Sequence, residues 1–340
     1  MAVDPVPWAV HGAKHSADVA RQSLHDSVTG AAGVSHPDSL LVQATPTPSG
    51  QVRVAPGGAL IENVYTGGAG QTYSFRNATE TLVSVPASDS TGAKTWYIVA
   101  QIEDPQFGGP TPADKLAGPY SFLRCISSTL VTKPTEYLAK VVVPASTATI
   151  TGAMITDMRK LAQPQRKPRT LARPRVAADG TAANALLARE PRGEYFPGGG
   201  GYNNGGTVLV PEWARSVIID ARWMSVRYDG AKRGWGSFWV EYGDEWRAGT
   251  WPGSQDYEYA TQKFMWDQPE NSATMRTNWM LMDVGAIPAK YRGKTIQFIF
   301  KGANSSSTSA QTSTASMDSM SGLGMKLEFT QEPANWQGFN

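Results

Sequence analysis

The sequence predicts a mainly β protein. An N-terminal amphipathic helix is followed by two all-β domains of sandwich or jelly-roll type, joined by a basic, proline-containing linker and a short helical neck. Three observations lead there. Charged residues make up only 18% of the 340, while Gly, Ser and Thr are plentiful, a balance that favours short strands and turns over long charged helices. Runs rich in β-branched and aromatic residues recur between Gly and Pro punctuation along most of the chain. Near the middle, "LAKVVVPASTATITGAMITDMRKLAQPQRKPR" (138–169) passes from a strand-like run through a polar turn into a basic, proline-broken tract, as if one body ended there. A chain of 340 residues suits two domains better than one small core.

The four expected segments are residues 1–35 (helical), 36–162 (first β-domain), 163–190 (linker and neck) and 191–340 (second β-domain). The formal net charge of +2 selects no class of partner. Cys125 is the single cysteine, so an intrachain disulfide and a Cys-x-x-Cys zinc site are excluded. "MAVDPVPWAV" lacks the basic and apolar regions of a secretory signal, and no apolar run approaches the ~20 residues of a membrane span. The expectation is synthesis in a cytoplasm, with no membrane anchor, no cofactor and no resident metal.

Residues 11–31 read as one helix. Val10, Ala13, Ala17, Ala20, Leu24 and Val28 recur on one side at a 3.6-residue period; His11, His15, Asp18, Gln22 and His25 fall on the other. The i,i+4 pair His11/His15 has a spacing that a metal can use, but a solvated polar face explains it as well. The apolar face is expected to dock on a sheet or a partner chain. From residue 36 come "LLVQAT", "QVRVAP", "GALIENVY", "TYSF" and "TLVSVP", then stronger strands in "TWYIVAQIED", "YSFLRCISST" and "YLAKVVVP". Cys125 sits inside one of these and reads as a small core residue.

Between Asp157 and Asp179 lie seven basic residues (Arg159, Lys160, Arg166, Lys167, Arg169, Arg173, Arg175) and no acid. Pro164, Pro168 and Pro174 keep this tract extended. It reads either as a stiff solvated linker or as a surface for a polyanion or acidic partner; with no nucleic-acid-binding fold beside it, nucleic acid is not expected. "TAANALLARE" follows, a run of helix formers too short to stand alone. Copies packed through Ala182, Ala185 and Leu186 would form an oligomerisation neck.

Residues 191–340 differ in character. Eight of the eleven tryptophans lie between Trp213 and Trp279. Strand-like runs include "SVIIDARWMSVRY", "GSFWVEYG", "NWMLMDV", "TIQFIFKG" and "MKLEFT". "GGGGYNNGG" has no Gly-Lys-Ser/Thr after it, so it is read as a loop and not a phosphate cradle. "NSSSTSAQTSTAS" reads as a loop or linker by composition.

Two stretches carry a family resemblance. "EYLAKVVVPASTATITGAMITDMRKLA" resembles the end of the N-terminal domain in minor tail proteins of tailed phages that infect actinobacteria. "VPEWARSVIIDARWMSVRYDG", with "WGSFWVEYGDEWR", "RTNWMLMD", "IPAKYRGKTIQFIFKG" and "MDSMSGLGMKLEF", resembles the C-terminal β-domain of the same group. The resemblance implies a virion structural protein at the tail tip, fibre-like and often trimeric, assembled in the host cytoplasm. It supplies no catalytic residues.

Three functions are weighed. In the first, a non-enzymatic trimeric adhesin attaches to other tail-tip or baseplate proteins through its N-terminal part and meets host cell-surface polysaccharide through its C-terminal domain. Trp and Tyr suit sugar rings, having apolar faces and polar edges. "RGWGSFWVEYGDEWRAGTWPG" gathers Trp235, Trp239, Trp246 and Trp251 near Asp244, Glu245 and Arg247. Of these, Trp235, Trp246, Trp251, Asp244 and Arg247 are the glycan-binding candidates, whereas Trp223 and Trp239 read as core. The second is a glycan-cleaving depolymerase, which needs two carboxylates at roughly 5–9.5 Å from one another; Glu241, Asp244, Glu245, Asp256 and Glu258 are available. The third is a baseplate protein that never touches the host.

Overall fold

The structure is a computed structural model. It describes His11 and residues 16–173, 175–177, 184–198, 205–228, 233–247, 256–269, 274–306 and 315–336, with only the backbone at 184, 245–247, 256 and 336. The chain is mainly β and divides into two compact units, Met1–Pro164 and Gln165–Asn340.

Unit 1 begins with one helix, α1 (Ala17–Ser27), shorter than the expected 11–31. Ser16 caps it, its side chain accepting from the Val19 N–H. Asp18 and His25, expected to face solvent, are half-buried together with Ala20 and Leu24, while Gln22 is exposed as expected. Arg21 is its buried residue, and His25 lies 3.0 Å from the Thr72 hydroxyl. Arg21 can be buried because four side chains accept from its guanidinium, which small alanines on the other side cannot match in contact area.

The strands of unit 1 are β1 (Gly33–Val34), β2 (Val42–Ala44), β3 (Gln51–Val54), β4 (Gly57–Glu62), β5 (Thr72–Asn77), β6 (Thr81–Ser84), β7 (Lys94–Ile102), β8 (Ser121–Ile126), β9 (Thr135–Val143) and β10 (Ile155–Asp157). They form three antiparallel sheets, ordered β1-β4-β5, β2-β3-β6 and β10-β9-β7-β8, where a single sandwich or open barrel was expected. Most of the first six strands are too short for one face to make a core alone. At Gly57 (φ +153°) a Cβ would sit 2.5 Å from the Ser39 Cα, so only glycine lets these segments touch. Cys125 lies on β8 opposite Ile98, and burial pushes its thiol up to about 11, which keeps it neutral.

The "ITDMR" close of unit 1 has a physical explanation. Asp157 and Arg159 make a bidentate pair (2.9 and 2.7 Å), and the Arg159 guanidinium also donates to the carbonyls of Pro37 (2.8 Å) and Ser39 (2.6 Å). Its side chain is only 3% exposed. Arg159 therefore belongs to the interior of unit 1, clasping the beginning of the sheet region to its end, and not to a solvated tract.

Unit 2 holds β11 (Arg166–Arg173), β12 (Asn184–Ala185), β13 (Glu194–Tyr195), β14 (Gly205–Leu209), β15 (Ser216–Tyr228), β16 (Gly234–Arg247), β17 (Asp256–Ala260), β18 (Phe264–Gln268), β19 (Met275–Ala286), β20 (Thr295–Asn304), β21 (Ala315–Met317) and β22 (Gly322–Thr330). One sheet runs β11-β22-β15-β21-β12, with β19 also on β15. The other runs β13-β20-β16-β17, with β14 on β20 and β18 on β16. Inward residues at period two (Val217, Ile219, Ala221 and Trp223 on β15; Phe238, Val240 and Tyr242 on β16) join in one core, so the two sheets pack as a sandwich. Trp279 stacks on Phe238 (5.1 Å, 17°) and Trp266 (5.4 Å, 18°), and Trp223 meets Phe300 edge-on at 4.8 Å. Three indole N–H groups in this core have acceptors: Trp223 on the Phe196 carbonyl, Trp279 on the Tyr228 hydroxyl and Trp266 on the Ala303 carbonyl.

Two expectations for 163–190 are corrected. Residues 166–173 are not a linker: they are β11, paired residue by residue with β22 from Arg166↔Thr330 to Arg173↔Leu323. β11 is the last strand of its sheet, and proline with outward positive charge is what blunts such an edge against unwanted pairing. The expected helical neck is not helical where it is described, residues 184–190. Ala185 is in β12, opposite Ser316, and Leu186 is fully buried with its N–H on the Ala315 carbonyl. A leucine spent on the core of its own chain has no face left for an oligomer seam. Ala182 lies outside the described residues.

Candidate functional site

The tryptophan-rich segment folds mainly as β16, and the strand separates the expected glycan residues. Trp235 sits near its beginning, half-buried, with the Arg233 guanidinium 5.4 Å from its ring and Arg233 paired to Asp267 at 3.0 Å. Asp244 sits near the other end, exposed, its N–H donating to the Tyr291 hydroxyl at 2.8 Å beside a bulge at Gly243 (φ +105°). Nine residues of extended chain place the two roughly 30 Å apart, so they do not form one patch. Trp246 and Arg247 are on β16, with Arg247 opposite Asp256, but their side chains lie outside the described residues, as does Trp251.

Trp223 and Trp239 are buried, 0% and 1% exposed. Trp239 is part of a second, polar cluster on the outward side of β16. Its indole N–H donates to Glu241 (2.8 Å), which also accepts from the Tyr257 N–H and lies 3.4 Å from the fully buried Lys301 ammonium. Gly193 (φ +61°) lies against this ring; a Cβ there would come within 2.5 Å of it. Glu258 bonds to Lys290 and the Tyr291 hydroxyl, and those bonds hold its carboxyl below the usual range. Two of the five carboxylates weighed for hydrolysis are thus committed to ion pairs. Among the described residues no three His, Cys, Asp or Glu side chains gather as a metal site, and His15 lies outside those residues.

A cavity lies in unit 1. It measures about 490 Å³ and lies between α1, β5 and the segment joining β7 to β8. Its floor is the Arg21 hub: Nε donates to Gln71 (2.6 Å), Nη1 to Asp104 (3.2 Å), and Nη2 to Asp18 (2.7 Å) and Gln106 (2.8 Å). The guanidinium also lies 5.3 Å from the ring centres of both Tyr73 and Phe107. Tyr73 donates its hydroxyl proton to Asp104 at 2.9 Å, and burial raises its pKa. Hydrogen bonds from Gln106 foremost, then Gln71 and Arg21, hold the Asp18 carboxyl below its usual range.

One wall is Glu103, whose Oε1 accepts from Arg124 (2.7 Å) and Lys133 (2.5 Å); the Arg124 bond contributes most to lowering its pKa. The rim is a braced loop. Asp114 accepts from the Leu116 and Ala117 N–H groups, and the Tyr120 hydroxyl donates to the Lys115 carbonyl at 2.7 Å. The sequence signals for this site are "EDPQF", a capped turn after a strand, and the arginine within α1.

No protein-family model matches the chain, and no curated protein matches it significantly. Among solved structures, the chain aligns with a structure of infectious bursal disease virus, Gx strain, at 9% identity over 85% of this chain and 69% of that one, TM-score 0.23. It also aligns with that virus's VP2 subviral particle at 11% identity (90% and 72%, TM-score 0.21) and with T=1 particles derived from it at 14% (91% and 78%, TM-score 0.22). At such TM-scores these likenesses carry no argument about the fold or role of this chain.

Proposed function

We propose that the chain is a virion structural protein, a tail-tip component of a phage of actinobacteria that holds to the tail through unit 1 and contacts host cell-surface polysaccharide through unit 2. The ordered motifs of both units support this reading. The observation that carries its non-enzymatic part is the fate of the carboxylates near the tryptophans: Glu241 is buried against Lys301, and Glu258 is engaged by Lys290 and Tyr291. Both are engaged by cations, whereas glycoside hydrolysis uses a free acid and base pair. A homotrimer remains part of the proposal, through a surface other than Leu186. Purified protein should sediment with actinobacterial cell walls and release no new reducing ends from them, with a trimer mass by light scattering. Failure to sediment removes the adhesin role, released reducing ends would replace it with a depolymerase, and a monomer mass removes the trimer.

A further inference from the structure

We propose that the cleft beneath α1 binds a neutral saccharide unit of one or two rings. The inference concerns unit 1 and does not depend on the role given to unit 2. Size comes first: about 490 Å³ falls within the range of small-molecule pockets, roughly 300–1,000 Å³.

Charge comes second. The Arg21 guanidinium is already met by Asp18 and Asp104, and Glu103 is met by Arg124 and Lys133. An anionic ligand would find only exposed Lys115, at the rim, without an ion pair among the described lining residues. An apolar ligand would cut the remaining polar atoms off from water, which is costly.

Those remaining atoms suit hydroxyl groups. Glu103 lines the cleft with Oε1 taken by Arg124 and Lys133, and its Oε2 can accept from a ligand hydroxyl. Among the described residues, Asp104 Oδ1 accepts from the Gln106 N–H alone and keeps a lone pair. Ser74 and Ser121 line the same space and can donate to or accept from a ligand. Tyr73 and Tyr120 supply ring surface for the apolar CH groups of a pyranose. Acceptors, hydroxyls and aromatic surface set in a braced frame form a polyol site.

The test uses the full chain and titrates methyl glucoside, methyl galactoside, methyl N-acetylglucosaminide and methyl glucuronide by ligand-observed NMR up to about 10 mM. At least one neutral glycoside should bind. Ser74→Trp, which fills the cleft from an exposed strand position, and Tyr120→Ala should each weaken it by at least about tenfold. Met280→Ala, at an exposed position on unit 2, should leave it unchanged. If Tyr120→Ala lowers the Tm, Ser74→Trp decides alone. Binding by none of the neutral glycosides, binding by the glucuronide only, or undiminished binding in Ser74→Trp would overturn the proposal.

Discussion

Unit 1 and unit 2 are both mainly β, yet they are held together differently. Unit 2 has strands of up to 14 residues, long enough for two sheets to share one aromatic core around Trp223, Trp279, Phe238 and Phe300. Unit 1 has three small sheets, and at two junctions a buried arginine joins segments far apart in sequence: Arg21 ties α1 to Gln71, Asp104 and Gln106, and Arg159 ties β10 to residues 37–39. Short strands leave junctions rich in polar acceptors: side-chain oxygens around Arg21 and backbone carbonyls around Arg159. A guanidinium with five donors satisfies such a junction where a leucine would not.

That contrast predicts a graded set of outcomes. Largest should be Trp279→Ala, which removes the ring stacked on both Phe238 and Trp266 and should cost unit 2 about 3–5 kcal/mol in chemical denaturation. A cost under about 1 kcal/mol would mean that the core is not continuous there. Next is Arg159→Ala, expected to cost unit 1 about 3 kcal/mol by leaving the buried Pro37 and Ser39 carbonyls without their donor, with unit 2 unaffected.

A third effect depends on pH. Burial pushes the Glu136 carboxyl up to about 7, with Lys160 opposing. The folded state thus holds this proton more tightly than the unfolded chain, so the group costs stability as pH rises from the ordinary carboxylate range through 7 and does so fully above it. Glu136→Gln should therefore stabilise unit 1 on the order of 2 kcal/mol at pH 8 and hardly at all at pH 4. Equal effects at both pH values would show that this burial does not shift the group. The smallest effect is expected from Trp235→Ala: half-buried at one end of β16, it should cost less than about 1 kcal/mol.

The β class, the runs that became β7, β9, β15, β16, β20 and β22, and the core role of Trp223 and Trp239 could be read from alternation and residue type. The basic tract misled because composition describes a solvated linker and an edge strand in the same terms. Arg169 and Pro168 suit both, and the pairing partner, β22, lies about 160 residues away. "TAANALLARE" misled because helix propensity is weak in a short run, and the burial of Leu186 overrode it. The Arg21 cleft was illegible because its parts come from residues 17–21, 73–74 and 102–121, which only the tertiary fold brings together. For the glycan candidates, alternation along β16 was visible, but its 14-residue length, which separates Trp235 from Asp244, was not.

The claim that most shapes this account is that the chain divides at 164/165, with the basic tract serving as an edge of unit 2. Hydrogen–deuterium exchange on the intact protein tests it directly. Paired with β22, the bonded amides within Arg166–Arg173 should exchange at least about 100-fold more slowly than those of an unstructured peptide of the same sequence. Exchange at the unstructured rate throughout 163–175 would contradict the account and return this segment to a linker.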